Sequence, residues 1–287
     1  MLTLPYNHPE GGAKQSMLNF GAITVDAVSD GYLDLNLGRF FPSLPREAWA
    51  AYPHGVIGDT LRCALTTYLV RTAGRTVLVD TGLGPRPGRF AGESGSLIAS
   101  LLYAGVRLED VDAVVFTHLH IDHVGWNCIE VSPGDYRPTF PNAQYVVNRA
   151  EWERWEGDGA GYLARNVRPL AEMGQLVLVD DGHEPAPGVR LLSTPGHTAG
   201  HVSILVYGGG EGGVITGDAA HHPAELEHTD WSPAIDEDPA LSARSRETLV
   251  QRIEADGLIV LGGHFPPPHA GRMMRVAQRR IYQPLPG

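Results

Sequence analysis

The sequence predicts an α/β protein with a layered αββα architecture, in which two strand-rich halves pack together between helices. The first observation is that short apolar, β-branched segments alternate with amphipathic segments along the chain. The second is that this alternation occurs twice, with no linker or low-complexity tract between the halves. A third is composition, because 43% hydrophobic residues in a chain of 287 are enough for a sizeable buried core. Two sheets covered by helices on their outer faces account for this order of elements.

Strands are predicted where apolar and β-branched residues are bounded by Gly, Asp or Pro. They lie at 22–28, 64–71, 76–80, 113–117, 143–148, 176–179, 189–193, 202–207, 213–216 and, as the final strand, 258–261. Apolar residues at helical spacing predict helices at 96–104, 149–155 and 239–255. We expect one domain over residues 1–287, in which residues 1–60 form a strand and loop segment that covers the functional site.

Charge and hydropathy exclude several classes of function. The formal net charge is −11, which disfavours nucleic acid as a partner because nucleic-acid binders carry a basic surface. No segment reaches the roughly 18 apolar residues of a membrane span, and residues 1–12 lack the apolar core of a signal peptide. Lys14 is the only lysine and lies in a predicted loop, so Schiff-base chemistry on a buried amine is disfavoured.

The two cysteines, Cys63 and Cys128, are too few for a disulfide framework. We interpret them as reduced, half-buried thiols, which predicts a cytoplasmic protein. The sequence leaves the oligomeric state open, and a homodimer is one of the alternatives.

The densest chemical signal lies at the carboxyl end of the predicted strand 113–117. It reads Thr117-His118-Leu119-His120-Ile121-Asp122-His123. Side chains two apart on an extended segment point the same way, so His118 and His120 can reach one metal ion. A tight turn would then direct Asp122 and His123 towards a neighbouring position. Imidazole and carboxylate ligands suit zinc, and also iron, cobalt or manganese.

Three further candidate ligands follow predicted strands downstream. They are His197 in Thr194-Pro195-Gly196-His197-Thr198-Ala199-Gly200-His201, Asp218 in Ile215-Thr216-Gly217-Asp218, and His264 in Leu261-Gly262-Gly263-His264. Each alone would be an ordinary turn or cap residue. Strand ends deliver side chains to one edge of a scaffold, so four such places predict a single metal centre rather than a turn of solvated histidines.

Taken together, these motifs resemble the metallo-β-lactamase superfamily, in family order and spacing from about residue 64 to residue 281. The resemblance implies the αββα sandwich of the metallo-β-lactamase type and a site for two divalent metal ions. It implies the following ligands: His118, His120 and His197 for the first ion, Asp122, His123 and His264 for the second, and Asp218 as a bridge. Residues 77–82 match another family motif, in which Asp80 would accept the free N–H of a ligand imidazole.

The same resemblance implies a hydrolase in which a hydroxide bridging the two ions, expected to be zinc, attacks a small ester or lactone. Asp122 or Asp218 would carry the proton to the leaving group. Lactonases of the superfamily often have tyrosine three residues after the bridging aspartate, where this chain has His221. The imidazole of His221 would either donate to the substrate or only line the pocket. A phosphotriester or an activated aryl halide is the alternative small-molecule substrate for the same site.

Other classes of protein fit the sequence less well. A diiron flavoprotein would need an acidic ligand in place of His120 and room for a flavodoxin domain, and a degenerate scaffold would have lost ligands. The 82–88 segment resembles a dinucleotide loop, but its third glycine is displaced and its prolines oppose a helix start. The aromatic residues predicted to form the pocket walls are Phe40, Phe41, Trp126, Trp231 and Phe265.

Overall fold

The computed structural model of the protein describes residues 18–85, 91–157 and 159–286. The predictions for Lys14, for residues 1–12 and for the later part of the 82–88 segment lie outside the described residues. Within those ranges, two large sheets each combine parallel and antiparallel strands, and a short hairpin stands apart from both.

The first sheet and the hairpin come from the amino-terminal part of the chain. Their strands are β1 Leu18–Phe20, β2 Ile23–Asn36, β3 Val56–Ile57, β4 Thr60–Thr72, β5 Arg75–Val79, β6 Gly92–Ser94, β7 Ala113–Val115, β8 Cys128–Ser132, β9 Asp135–Pro138, β10 Gln144–Asn148 and β11 Leu176–Val179. The sheet order is β1-β2-β4-β5-β7-β10-β11, with β3 beside β4, β6 beside β2, and β8 and β9 paired as the hairpin. Strands β5, β7, β10 and β11 run parallel, so their carboxyl ends meet at one edge of the sheet.

The second sheet follows in simple sequence order. Its strands are β12 Val189–Ser193, β13 Val202–Gly208, β14 Glu211–Ile215, β15 Ile259–Leu261, β16 Ala270–Val276 and β17 Arg279–Pro284. The prediction that 258–261 is the final strand is wrong, because β16 and β17 form a hairpin after it. Most residues of this hairpin are exposed and several are arginines, so it lacks the apolar pattern of a buried strand.

Helices cover the outer faces of both sheets. They are α1 Leu37–Phe40, α2 Leu97–Tyr103, α3 Arg149–Trp155, α4 Gly161–Asn166, α5 Arg168–Glu172, α6 Pro223–Glu227 and α7 Pro239–Asp256. Short 3-10 turns lie at Arg46–Ala51, Leu108–Asp110 and Gly217–Ala219.

Alternation of side chains along the strands creates the layers. In β5, Val77 and Val79 enter a core shared with the second sheet, whereas Leu78 faces the cluster that contains Leu97 and Leu101 of α2. On the far side of the second sheet, α7 buries Leu249, Val250 and Ile253 against β14 and β15. The predicted αββα order of layers is therefore confirmed, while the extent of one domain over 1–287 stays a prediction.

The cysteines are free and more deeply buried than the sequence indicated. Burial raises the pKa of the Cys128 thiol to about 12, so this side chain stays protonated and unreactive. The cytoplasmic location and the oligomeric state stay predictions.

In the part of the chain that the structure describes, no helix is both long enough and apolar enough to cross a membrane.

Candidate metal centre

Loops that follow four strands meet at one edge of the two sheets. They carry residues 117–123 after β7, His197 after β12, Asp218 after β14 and His264 after β15. Since β14 and β15 are parallel, the residues that follow them reach the same edge. The structure brings all seven predicted ligands together there, in two adjoining groups.

The first group consists of His118, His120, His197 and Asp218, whose facing atoms lie within 4.8 Å of one another. The Nε2 atoms of His118 and His197 each lie 2.9 Å from Nδ1 of His120. Burial and the charge of His123 hold the pKa of His118 well below its usual range. Burial and His197 lower the pKa of His120 to about 3. Neutral imidazole is the form that binds metal ions, so His118 and His120 offer lone pairs to one point.

The second group consists of Asp122, His123 and His264, also within 4.8 Å of one another. The Nε2 atoms of the two imidazoles are 3.3 Å apart. Oδ2 of Asp122 lies 3.9 Å from Nε2 of His123 and 3.6 Å from Nε2 of His264. Asp122 is half-buried, whereas both histidines are buried, so this carboxylate lies on the more open side of the group.

Asp218 lies between the two groups and presents one oxygen to each. Its Oδ2 is 3.2 Å from Nε2 of His197 and 3.7 Å from Nε2 of His118. Its Oδ1 is 3.2 Å from Nε2 of His123 and 3.1 Å from Nε2 of His264. Although burial raises the pKa of Asp218, the charges of His123, His264 and His221 outweigh it and hold the pKa well below its usual range. An ionised carboxylate therefore separates the groups.

The ring nitrogens that point away from the centre are held by fixed acceptors. Nδ1 of His123 lies 2.8 Å from Oδ2 of Asp80, and Nδ1 of His197 lies 2.9 Å from Oδ1 of Asp236. Nδ1 of His264 lies 2.6 Å from the carbonyl oxygen of Ala64. Such acceptors keep the Nδ1 proton in place and leave Nε2 to face a cation. Imidazole nitrogens and carboxylate oxygens that converge in this way fit divalent metal ions.

Asp80 makes the hydrogen bond that the sequence predicts, and it holds the first motif in a second way. Its Oδ1 accepts the backbone N–H of Thr117 and its Oδ2 the hydroxyl of Thr117, both at 2.8 Å. Asp80 has a φ of +61°, a left-handed conformation that few residues other than glycine adopt. Strained backbone of this kind is common beside functional groups.

Glu151 in α3 is a site residue that sequence reasoning missed. It is fully buried, and its Oε1 accepts from the backbone N–H of Leu119 at 2.9 Å and the indole of Trp155 at 2.7 Å. Its Oε2 accepts from the Thr198 hydroxyl at 2.6 Å and the Gly200 N–H at 3.1 Å. One carboxylate therefore joins the 117–123 segment to the loop after His197. The sequence signal was only an acidic residue in a helix that also carries tryptophans.

His201, the second histidine of its motif, stays outside the ligand groups. Its Nε2 accepts the backbone N–H of Asp218 at 2.9 Å, and its Nδ1 lies 3.1 Å from the carbonyl oxygen of Thr194. Burial lowers the pKa of His201 to about 3, so the ring is neutral and can accept this bond. His201 thus fixes the backbone from which Asp218 projects.

His221 is buried against Asp218 rather than exposed in a pocket wall. Its Nε2 lies 3.1 Å from Oδ2 of Asp218, and its ring is parallel to that of His264 with centroids 5.5 Å apart. Burial lowers the pKa of His221, but Asp218 and Glu225 outweigh burial and raise it to about 10. Phe40 packs nearly perpendicular to the same ring, with centroids 5.1 Å apart.

The residues predicted to form the pocket walls have different surroundings in the structure. Phe40, within the described part of the 1–60 segment, contacts His221, and Ile121 of the first motif packs against the same hydrophobic cluster as Phe40. Phe41 and Phe265 are buried in hydrophobic clusters, so the expectation that they line a pocket is wrong. Trp126 is half-buried and donates its indole N–H to Asp30 at 2.8 Å.

Histidines and aspartates that converge at one edge of an αββα sandwich are the arrangement of a metal-dependent hydrolase that binds divalent metal ions. Comparison with known families gives the particular family: residues 62–264 match the metallo-beta-lactamase superfamily, and the chain belongs to it. An N-acyl homoserine lactonase of a Bacillus species is 30% identical over 224 residues, which cover 72% of this chain and 83% of that protein. The metallo-beta-lactamase domain-containing protein 1 of Xenopus laevis is 30% identical over 217 residues, covering 75% and 77%.

Solved structures agree on the fold. The dizinc quorum-quenching lactonase AidC, in complex with a product, has a TM-score of 0.81 at 20% identity and covers 95% of this chain and 97% of its own. The hydrolase AbOPH of the beta lactamase superfamily has a TM-score of 0.81 at 22% identity, covering 94% and 97%. These likenesses establish the αββα fold of the metallo-β-lactamase type for this chain.

Proposed function

We propose that the chain is a dinuclear metal-dependent hydrolase that opens a small lactone or cleaves a small carboxylic ester. The observation that carries this proposal is the position of Asp218, with one oxygen directed to each group of candidate ligands. Seven candidate ligands also exceed what one tetrahedral ion uses. We assign His118, His120 and His197 to one ion, Asp122, His123 and His264 to the other, and Asp218 to both.

Two ions bound there, for which we propose zinc with iron, cobalt or manganese as alternatives, would supply Lewis acidity that activates a water molecule and polarises the electrophile. The side chains of the chain supply orientation and proton transfer. Asp122 lies on the open side of the centre and Asp218 lies within it, and we assign the transfer of a proton to the leaving group to one of these two carboxylates.

His221 is the third residue to which we assign a catalytic role. Its Nε2 lies beside Oδ2 of Asp218, at the boundary of the first ligand group, where it can donate a hydrogen bond to the electrophile's oxygen or the leaving group. Its Nδ1 is directed to the other side, towards Oε1 of Glu225 at 3.7 Å. The ring is thus oriented between an active-site carboxylate and a buried carboxylate behind it.

The relatives named N-acyl homoserine lactonases support a lactone as the substrate. His221 favours other electrophiles, because the family resemblance implies tyrosine at this position in a lactonase and this chain has histidine. Phosphotriesters and activated aryl halides are the alternatives for the same centre.

Metal analysis joined to a hydrolysis screen tests this proposal. We expect about two zinc ions per chain after loading and gel filtration. We also expect turnover of N-acyl homoserine lactones or aryl esters that a chelator abolishes and zinc restores. No more than one tightly held ion under metal-replete conditions would contradict the dinuclear centre. Faster turnover of a phosphotriester or an aryl halide than of any lactone or ester would replace the proposed substrate.

A further inference from the structure

A fully buried guanidinium, that of Arg246 in the middle of α7, lies behind the metal centre. Its nitrogens donate to four acceptors: the carbonyl oxygens of Ala219 at 2.5 Å, of Thr229 at 3.0 Å and of Trp231, and the hydroxyl of Ser242 at 3.1 Å. Three of these acceptors belong to the 218–236 segment, which carries Asp218 and His221. Arg246 thus ties this segment of the site to α7.

Two buried carboxylates face the same guanidinium. Nη2 of Arg246 lies 3.6 Å from Oδ2 of Asp236 and 3.6 Å from Oε1 of Glu225. Neither of these oxygens has a hydrogen-bond partner within the ranges that the structure describes. Buried anions without such partners are costly, and the charge of Arg246 compensates them together with His197 beside Asp236 and His221 beside Glu225.

The other oxygen of each carboxylate is directed to the metal centre. Oδ1 of Asp236 lies 2.9 Å from Nδ1 of His197 and accepts a hydrogen bond from it. Oε2 of Glu225 accepts the backbone N–H groups of His221 and His222 at 2.6 and 2.8 Å. Each carboxylate therefore has one oxygen beside Arg246 and the other bound to the site, at His197 for Asp236 and at the backbone of His221 and His222 for Glu225.

We propose that Arg246 is a positioning residue of the metal centre, which holds His197 through Asp236 and the backbone at His221 through Glu225. The inference rests on the proposed function, because it takes His197 as a metal ligand. A planar guanidinium with several fixed donors can restrain two carboxylates and three carbonyls at once, which the point charge of lysine cannot do. Residues that hold a ligating histidine in this way typically change metal affinity about 10–100-fold when they are altered.

A purely structural role would lower stability and leave zinc affinity unchanged, and a second arginine provides the matched control. Arg280 of β17 is bound to Glu247 of α7 by two hydrogen bonds of 2.6 and 2.7 Å. It therefore ties another element to the same helix through an ion pair, without contact to the centre. We expect Arg280→Met to lower the unfolding midpoint and to leave zinc affinity as it was.

The experiment measures zinc release from the zinc-loaded full chain to a chromophoric chelator. The variants are Arg246→Lys, Asp236→Asn, their double variant and Arg280→Met. We expect each of the first two to weaken zinc binding about 10–100-fold. Because Arg246 acts on His197 through Asp236, the double variant should lose little more than Asp236→Asn alone.

Unchanged zinc release in Arg246→Lys, with lowered stability, would leave Arg246 a structural role only and overturn the proposal. Fully additive losses in the double variant would equally contradict an action through Asp236. If Arg246→Lys does not fold, the isosteric variants Asp236→Asn and Glu225→Gln test the proposal in its place. Unchanged zinc affinity in both variants overturns it. Wild-type protein that holds no zinc would instead remove the proposed function, and the same titration shows this before any variant is made.

Discussion

Replacing Glu151 by glutamine tests how the two ligand-bearing loops are held together. The carboxylate receives four hydrogen bonds, two at each oxygen, from the 117–123 segment, from the loop after His197 and from its own helix. The amide of glutamine has nearly the same shape but offers one acceptor and one donor. We therefore expect the free energy of unfolding to fall because hydrogen bonds are lost, and not because the volume of the side chain changes.

The size of this loss depends on which hydrogen-bond partners can turn to match an amide. If the amide oxygen keeps Leu119 and Trp155, the NH2 group faces the hydroxyl of Thr198, which can turn to accept, and the N–H of Gly200, which cannot. A buried N–H without a partner costs about 1–3 kcal/mol, and the remaining bonds lose the strength that a charged acceptor gives them. The opposite orientation leaves two obligate donors unpaired and is worse. We expect the free energy of unfolding to fall by about 2–4 kcal/mol.

Urea unfolding at pH 8 measures this loss in the zinc-free and zinc-loaded protein. Burial raises the pKa of Glu151, so the alkaline buffer favours the ionised form of the wild-type side chain. Glu153→Gln is the matched control, because Glu153 is exposed on the same helix and should cost less than about 0.5 kcal/mol. If Glu151→Gln and Glu153→Gln unfolded at the same urea concentration, the carboxylate would not be joining the loops and the argument would fail.

Two further predictions concern the chemistry. His118→Ala and Asp218→Ala should each abolish hydrolysis while circular dichroism shows a largely intact fold; turnover by Asp218→Ala with both ions bound would remove its bridging role. His221→Phe should lower kcat more than it raises KM, by up to about 10²–10⁴-fold if the imidazole transfers a proton, because such an interaction is made mainly in the transition state. His221→Tyr should gain lactone hydrolysis relative to His221→Phe, and an unchanged kcat in both variants would leave His221 without a catalytic role.

The cluster of candidate ligands could be predicted because its signal is local in the sequence. His118, His120, Asp122 and His123 lie within six residues after an apolar strand, and parallel strands bring the later ligands to the same edge. The layers could be predicted for a similar reason, since alternation within a strand such as β5 determines which side chain faces which layer.

Asp80 was found through a family motif, but the other residues that hold the candidate ligands could not be predicted, because their partners are distant in sequence. Glu151 and Leu119 are 32 residues apart, and Asp236 and His197 are 39 apart. A polar residue in a helix or loop gives no sign that the fold will bury it beside a ligand.

Strand β2 shows how the same difficulty affects the fold. The prediction ended this strand at residue 28, because Ser29, Asp30 and Gly31 are typical of a turn. The strand instead continues to Asn36 through an irregularity between Ser29 and Gly31. Asp30 is fully buried there, and its carboxylate accepts hydrogen bonds from backbone N–H groups at Leu83, Gly84, Gly95 and Leu97 and from the Trp126 indole. Only the folded chain supplies these donors, so sequence alone could not place an aspartate inside a strand.

Buried carboxylates hold this centre in a similar way. One oxygen of each carboxylate is bound to the surrounding fold, and this fixes the position of the other oxygen beside the site. Asp80 has one oxygen on the backbone of Thr117 and the other on His123, and Glu151 has one on each loop. These oxygens are held by hydrogen bonds of normal length, which are directional and stiff. The outer oxygens of Asp236 and Glu225 instead face the guanidinium of Arg246 at 3.6 Å, and hydrogen bonds to Ala219, Thr229 and Ser242 hold that guanidinium in place. The His197 and His221 side of the centre therefore depends on the position of one buried cation, whereas the His118 to His123 side depends on hydrogen bonds made directly by Asp80 and Glu151.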